Sequence, residues 1–252
     1  MFSNRYIFIY ASVMVSVVAV ILTSAATLLK PMQERNEKIE KMSGILAAAN
    51  VTGEKADVLE NYNTFIKEEW VIDVDGNVVS KYHDGNFKKG DIRAFDLDMK
   101  VELANYSKYQ AGKKSVVPHF PIYIFSKDAD TLFIVPLRGK GLWGPIWGNL
   151  ALKNDFRTVV GATFSHKSET PGLGAEIATR EFQQQFAGKT IFNEQYEFTS
   201  IEVVKGGVAN SNINPEHGVD AISGGTITSN GVTQMLKDVL SIYEPFVKKQ
   251  IL

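Results

Sequence analysis

The chain has 252 residues, 44% of them hydrophobic and 22% charged, with a formal net charge of −1; that is enough apolar material for one globular core beyond any membrane segment. A balance so close to neutral leaves no basic excess to follow a nucleic-acid backbone, which excludes nucleic acid as a partner. There is no cysteine, which excludes disulfides and iron–sulfur clusters, and His83, His119, His166 and His217 are too widely spaced for a helical metal-binding pair, so no metal site is expected.

The first predicted element is a membrane anchor. Tyr6 to Leu29 carries no charge and is closed by Arg5 and Lys30. At 1.5 Å per residue a helix over this run spans roughly 36 Å, enough to cross a hydrocarbon core of about 30 Å. A cleaved signal peptide ending near Ser24-Ala25-Ala26 is the competing reading, but the apolar run is about twice the usual length of such a segment, which favours a retained helix. Lys30, Arg35, Lys38 and Lys41 outnumber Arg5, and by count that bias points the C-terminal side to the cytoplasm; long domains translocate regardless of it.

The chain then divides into an anchor (1–30), a juxtamembrane helical segment (31–70) and an α+β domain (71–252). Ile39, Met42 and Leu46 recur at helical spacing amid mixed charge, and a second helix is expected over Asp57 to Glu69. Asp75-Gly76-Asn77 between two apolar runs predicts a hairpin. Residues 84–118 are polar and weakly patterned, as a peripheral insertion would be. Strands are predicted in IYIFS and TLFIVPL around the turn Lys127-Asp128-Ala129-Asp130, then in GNLALKN and FRTVVGATFS. A helix over GAEIATREFQQQF and a strand over FTSIEVV follow. The last element is an amphipathic helix in which Val232, Met235, Leu236, Val239, Leu240 and Tyr243 keep one face. The fold class is α+β, a mostly antiparallel sheet with helices packed on it behind a single N-terminal transmembrane helix.

Three segments carry possible chemistry. Gly139-Lys140-Gly141-Leu142-Trp143-Gly144 has the glycine spacing of a dinucleotide fingerprint, but Pro145 and the bulky Leu142-Trp143 pair leave no room for a helix to start there, so that reading fails. Taken alone, GKGLWGPIWG is a glycine-permitted loop that packs two tryptophans on the core. In Ser165 to Gly174, Pro171-Gly172 suits a type II turn. A functional reading lets Gly172 and Gly174 bring the backbone close to a flat ligand, with Leu173 as an apolar contact and Thr170 as a hydrogen-bonding group. The third segment, Asp220 to Ser229, sets Gly224 and Gly225 among Ser223, Thr226 and Thr228 just before the last helix. There, backbone N–H groups and the helix dipole favour a phosphate; without a ligand, the same residues are a cap and a turn.

Taken together, the segments carry a resemblance. Asp220 to Thr228 resembles the flavinylation pattern D-[AG]-x-[ST]-G-[AG]-[ST]-x-T of the FMN-binding domain family, in which the last threonine receives flavin mononucleotide (FMN) through a phosphoester. SETPGLG, GLWGPIWG and the N-terminal anchor, in that setting, resemble the C subunits of the bacterial Na⁺-translocating NADH:quinone oxidoreductases along the whole chain. The resemblance implies covalent FMN on Thr228. It makes Asp220, Ser223, Gly224, Thr226 and Thr228 the recognition site of a separate flavin transferase that uses FAD and Mg²⁺. It sets Glu169, Thr170, Leu173 and Gly174 along the isoalloxazine, with Leu142 and Trp143 nearby and Ser223, Gly224, Gly225 and Thr226 around the phosphate. Gly225 replaces the usual alanine, which loosens the loop slightly.

The resemblance further implies an inner-membrane subunit with a periplasmic flavin domain that relays electrons between partner subunits, with no catalytic side chains of its own. One helix encloses no ion path, so Na⁺ movement would belong to other subunits. The G subunit of the Rnf ferredoxin:NAD⁺ oxidoreductases shares the attachment pattern and a similar turn, but GLWGPIWG and the chain length favour the quinone reductase. From another class, a membrane-anchored binding or scaffold module without cofactor remains as an alternative, and it would be colourless.

Overall fold

The structure is a computed structural model that describes residues 3–128 and 130–251. Residues 1, 2 and 252 of the expected segments, and Ala129 of the expected turn, lie outside the described residues. The chain divides into two units, Met1–Lys41 and Met42–Leu252. Helix α1 (Asn4–Ala48) runs without a break past Pro31. The anchor and the amphipathic helix expected after it are therefore one element. Its apolar stretch is long enough to cross a membrane, and none of that stretch is buried.

In the second unit, α2 (Val58–Phe65) precedes a sheet of β1 (Ile66–Ile72), β2 (Val78–His83), β3 (Asn86–Lys89), β4 (Phe120–Lys127), β5 (Asp130–Lys140), β6 (Pro145–Leu152) and β7 (Val159–His166). Its seven strands run in the order β3-β2-β1-β4-β5-β6-β7, and every neighbouring pair is antiparallel. The helix expected over 57–69 stops at Phe65. Beyond it, Ile66 to Ile72 carries aromatic and β-branched side chains and pairs with β2 on one side and β4 on the other, and those two ladders outweigh the helical spacing. The polar stretch 84–118 supplies the edge strand β3 and helix α3 (Met99–Gln110), and it buries Ala94, Phe95 and Met99.

The sheet is covered on both faces. From Phe120 to Phe125 every residue of β4 is buried, as expected for a strand with no solvent face. On one face lies α5 (Thr226–Ile251), whose Val232, Met235, Leu236, Val239, Leu240 and Tyr243 all join the main core. Phe120, Ile122, Val135, Leu137 and Phe164 join the same core from the strands. The other face receives α2 and the C-terminal end of α1, where Thr163 Oγ1 donates to the Gly44 carbonyl at 3.1 Å and Ile45 and Leu46 are buried. Here Glu69, 4% exposed, accepts hydrogen bonds from Arg93 Nη2 (2.8 Å), the Phe95 N–H (2.9 Å) and the Tyr62 hydroxyl (3.1 Å). Burial, reinforced by Tyr123 and Glu69, pushes the Tyr62 phenol far above its ordinary value.

Two segments downstream are more broken than their periodicity suggests. The helix expected from Gly174 splits into a 3₁₀ segment (Gly174–Ala178) and α4 (Arg180–Gln184). Thr179 separates them, because its hydroxyl donates to the Glu176 carbonyl at 2.7 Å and accepts from the Phe182 N–H. The strand expected over 198–204 shortens to β8 (Glu202–Val204), which pairs in parallel with β9 (Gly218–Asp220). Upstream of β8, the N–H groups of Thr199 and Ser200 both turn to the Ile191 carbonyl, and Ser200 takes a left-handed φ of 63°.

Two turns bear directly on stability. Gly76, in the β1–β2 hairpin, has φ +75°, and a Cβ there would stand 2.3 Å from the Phe246 nitrogen of α5. Gly76→Ala is expected to cost about 2–4 kcal/mol in denaturant unfolding, from left-handed strain plus the clash. In the β6–β7 turn, burial opposes ionisation of Asp155, but hydrogen bonds from Thr158 N (2.9 Å), Thr158 Oγ1 (2.7 Å) and Arg157 N (2.9 Å) outweigh it and hold the carboxyl below its ordinary value. A depressed carboxyl stabilises fully above the unfolded value of about 3.9, and the gain is lost as pH falls through the lower folded value. Melting curves of Asp155→Asn are therefore expected to flatten below about pH 4 relative to the parent, while lying below it at neutral pH.

Candidate functional site

Three chain segments converge at one end of the sheet. The first is the tip of the β5–β6 hairpin: Lys140 pairs with Pro145, and the Gly141 N–H donates to the Gly144 carbonyl at 2.8 Å, so the glycine run 139–144 is the end of β5 and a tight tip that leads into β6. Its tip presents Leu142 (45% exposed) and Trp143 (65% exposed). The expected packing of both tryptophans on the core is thus corrected for Trp143, because a hairpin tip projects beyond the sheet that would cover it.

The second segment follows β7. The Leu173 N–H donates to the Thr170 carbonyl at 3.1 Å with Gly172 at φ +73°, which is the type II turn expected of Pro171-Gly172. This loop is tied to the hairpin tip: Lys167 N–H donates to the Pro145 carbonyl (3.1 Å), Ser168 Oγ to the Trp143 carbonyl (3.3 Å), and the Trp143 N–H to Glu169 Oε1 (2.9 Å).

The third is the start of α5. The Gly225 N–H donates to the Ile222 carbonyl at 3.0 Å and Gly224 has φ +73°, a second positive-φ turn. The Ser229 N–H donates to the Gly225 carbonyl at 2.9 Å, which makes Gly225 the residue that opens the helix. The N–H groups of Thr226, Ile227 and Thr228 then belong to the first turn, where no earlier carbonyl of the helix can accept them.

Between the three segments lies a cleft of about 230 Å³. Leu142, Leu173 and Ile227 supply apolar walls, Thr170, Gly174 and Glu169 line the loop side, and Gly224 to Thr228 line the helix side. At its base the Thr228 hydroxyl donates to Glu169 Oε2 at 2.6 Å, with Thr228 2% and Glu169 4% exposed. Gly174 packs on this pair: a Cβ there would stand 2.3 Å from Thr228 Oγ1 and 2.6 Å from Glu169 Oε2. Its missing side chain therefore makes room for the threonine and the carboxylate.

Of the residues singled out from the sequence, Leu142, Glu169, Thr170, Leu173, Gly174, Gly224, Gly225, Thr226 and Thr228 line the cleft together. Trp143 stands beside it, joined through its N–H to Glu169. Ser223 is exposed and is not part of the lining. Asp220 lies apart on β9, where its carboxylate caps a 3₁₀ turn by accepting from the Val208 N–H at 2.7 Å. Ile227 is absent from the sequence-based expectations, although it lines the cleft and is 58% exposed. Its signal is an isoleucine off the buried stripe of an amphipathic helix, where a polar residue belongs. Among the described residues no group of three or more His, Asp or Glu side chains is placed to hold a metal.

The chemistry of the cleft suits a flat, partly apolar anion. Its walls are aliphatic, its inner end is a helix N-terminus that favours negative charge, and a hydroxyl is aimed at its base. A family model described as the FMN-binding domain matches residues 141–241, from the hairpin tip into α5. The C subunit of the Na⁺-translocating NADH-quinone reductase of Haemophilus ducreyi is 34% identical over 87% of this chain and 82% of its own. The protein of the same name from Pasteurella multocida is 32% identical over 92% of this chain and 88% of its own. The crystal structure of the corresponding protein from Parabacteroides distasonis superposes with a TM-score of 0.71 at 36% identity, over 87% of this chain and 96% of that one. Similarity of this extent, reaching well beyond the cleft on both sides, means that the chain belongs to the family of C subunits of the Na⁺-translocating NADH-quinone reductases.

Proposed function

We propose that this chain is the flavin-bearing electron-transfer subunit of a Na⁺-translocating NADH-quinone reductase and that it carries FMN as a phosphoester on Thr228. The observation that carries the reading is the Thr228 hydroxyl, pointing to the base of a cleft closed by a helix N-terminus and walled by exposed aliphatic side chains. When bound, FMN supplies the electron chemistry, and the protein supplies position and electrostatics. Thr228 holds the group by a covalent bond. The N–H groups of the first turn of α5 would favour the negative charge of a phosphodiester by about 0.3–1 kcal/mol, the worth of an exposed helix end. So small a term cannot retain a cofactor, which is why the covalent bond matters. Leu142, Leu173 and Ile227 would supply apolar contact to a flat ring. Electron transfer through such a ring needs no general base from the chain.

In this reading a separate transferase that uses FAD and Mg²⁺ installs the cofactor, and Asp220, Ser223, Gly224 and Thr226 form part of what it recognises. The other subunits of the reductase supply and accept the electrons. The flavin domain lies on the periplasmic side of the inner membrane, as the family implies, against the count of basic residues after the anchor.

Two experiments test the proposal. After denaturing electrophoresis of membranes from cells that possess the transferase, the parent band is expected to fluoresce under ultraviolet light. Thr228→Ala should be dark while Thr226→Ala keeps at least part of the signal; a bright Thr228→Ala band rejects the attachment site, and a dark parent band favours the scaffold reading. Orientation can be read because the chain has no cysteine. A single exposed reporter, Lys113→Cys, is expected to react with a membrane-impermeant maleimide before the inner membrane is broken; reaction only after lysis reverses the orientation.

A further inference from the structure

Two glutamates are equally buried in this protein, and they are held in opposite ways. Glu69 is 4% exposed and is neutralised by Arg93, with Nη2 at 2.8 Å and Nε at 3.2 Å from its carboxylate, besides a backbone N–H and a phenol. Glu169 is also 4% exposed, but its carboxylate receives one backbone N–H, from Trp143 at 2.9 Å, and one hydroxyl, from Thr228 at 2.6 Å. Among the described residues, none of the ion pairs involves it. A buried carboxylate without an ion-pair partner is costly to keep.

The surroundings are cut to fit this carboxylate. A Cβ on Gly141 would lie 2.5 Å from Oε1 and one on Gly174 would lie 2.6 Å from Oε2, so a glycine makes room for each oxygen. At 2.6 Å the Thr228 hydroxyl is within direct proton-transfer reach of Glu169 Oε2. A weak nucleophile hydrogen-bonded to a base is the arrangement that activates a hydroxyl for attack.

We propose that Glu169 is the general base for this chain's own modification, a role that rests on Thr228 being the attachment residue. As Thr228 Oγ1 attacks the FMN-side phosphorus of a flavin dinucleotide presented by the transferase, its proton passes to Glu169 Oε2. The Oγ1–P bond forms, the bridging P–O bond of the pyrophosphate breaks, and AMP leaves with the electrons of that bond. The proton is then released from Glu169 to water in the cleft. No oxidation or reduction occurs. The acceptor protein thus supplies a catalytic group to the transfer as well as the hydroxyl.

The test uses the full chain in detergent, purified from cells lacking the transferase, then incubated with transferase, FAD and Mg²⁺. Flavin incorporation is followed by fluorescence of the denatured band and by intact mass. Glu169→Gln, which keeps size and shape, is expected to slow incorporation by about 10²-fold or more, in the range of general-base contributions, with a melting curve close to the parent's. Glu169→Ala should be equally slow and should be accelerated by added formate, a small carboxylate able to enter the space. Incorporation by Glu169→Gln within threefold of the parent overturns the proposal. So does a loss in both variants that formate leaves unchanged, since that assigns the carboxylate a purely structural role. If the parent itself gains no flavin, or gains it on a residue other than Thr228, the assignment of the attachment site fails instead.

Discussion

The seating of α5 on β5 determines what happens at the cleft. Helix and strand approach almost backbone to backbone: a Cβ on Gly231 would stand 2.4 Å from the Lys140 carbonyl oxygen, and one on Gly139 would stand 2.6 Å from Met235 Cβ. Lys140 is the last residue of β5, so this contact brings the first turns of the helix to the base of the hairpin tip. The apolar stripe beyond it, from Val232 to Val247, supplies the burial that holds the helix down. Thr228 is carried to the cleft by this seated helix, while its hydroxyl is fixed by Glu169 of the loop that follows β7.

Burial of Thr228 also follows from helical spacing. Counting back one turn from Val232 along the buried stripe gives Thr228 and Ser229, both of which are buried at 2% and 1% exposure. Polar residues at positions that the pattern reserves for core must find partners inside. Ser229 Oγ takes the Ile222 N–H at 3.3 Å, which fixes the preceding turn, and Thr228 takes Glu169. One hydroxyl therefore shapes the loop while its neighbour is held at the base of the cleft.

Much of this was legible in the chain itself. The membrane-length helix, the hairpin at Asp75-Gly76-Asn77, four of the strands, the type II turn at Pro171-Gly172 and the last helix follow from periodicity and turn chemistry. The gathering of the hairpin tip, the Pro171-Gly172 turn and the start of the last helix at one cleft was implied by the family resemblance alone, since each segment by itself reads as a turn or a cap. What escaped was set by distant partners. Ile66 to Glu69 looks helical until β2 and β4 pair with the strand that it opens, and 84–118 looks peripheral until Phe95 and Met99 are seen buried. The split at Thr179 depends on one hydroxyl that prefers a backbone carbonyl. Glu169 and Thr228 are 59 residues apart, and no local pattern announces their bond. Ile227 was visible as an exception to the stripe, but only once the stripe had been extended backward.

The mouth of the cleft has a cost for the protein in isolation. Leu142, Trp143, Leu173 and Ile227 are each at least 41% exposed, and they lie around one opening, where clustered greasy side chains differ from the scattered ones that any surface tolerates. Left open to water, such a collar is adhesive. Clumping in a purified preparation would therefore report on that collar, even while the interior stays fully folded.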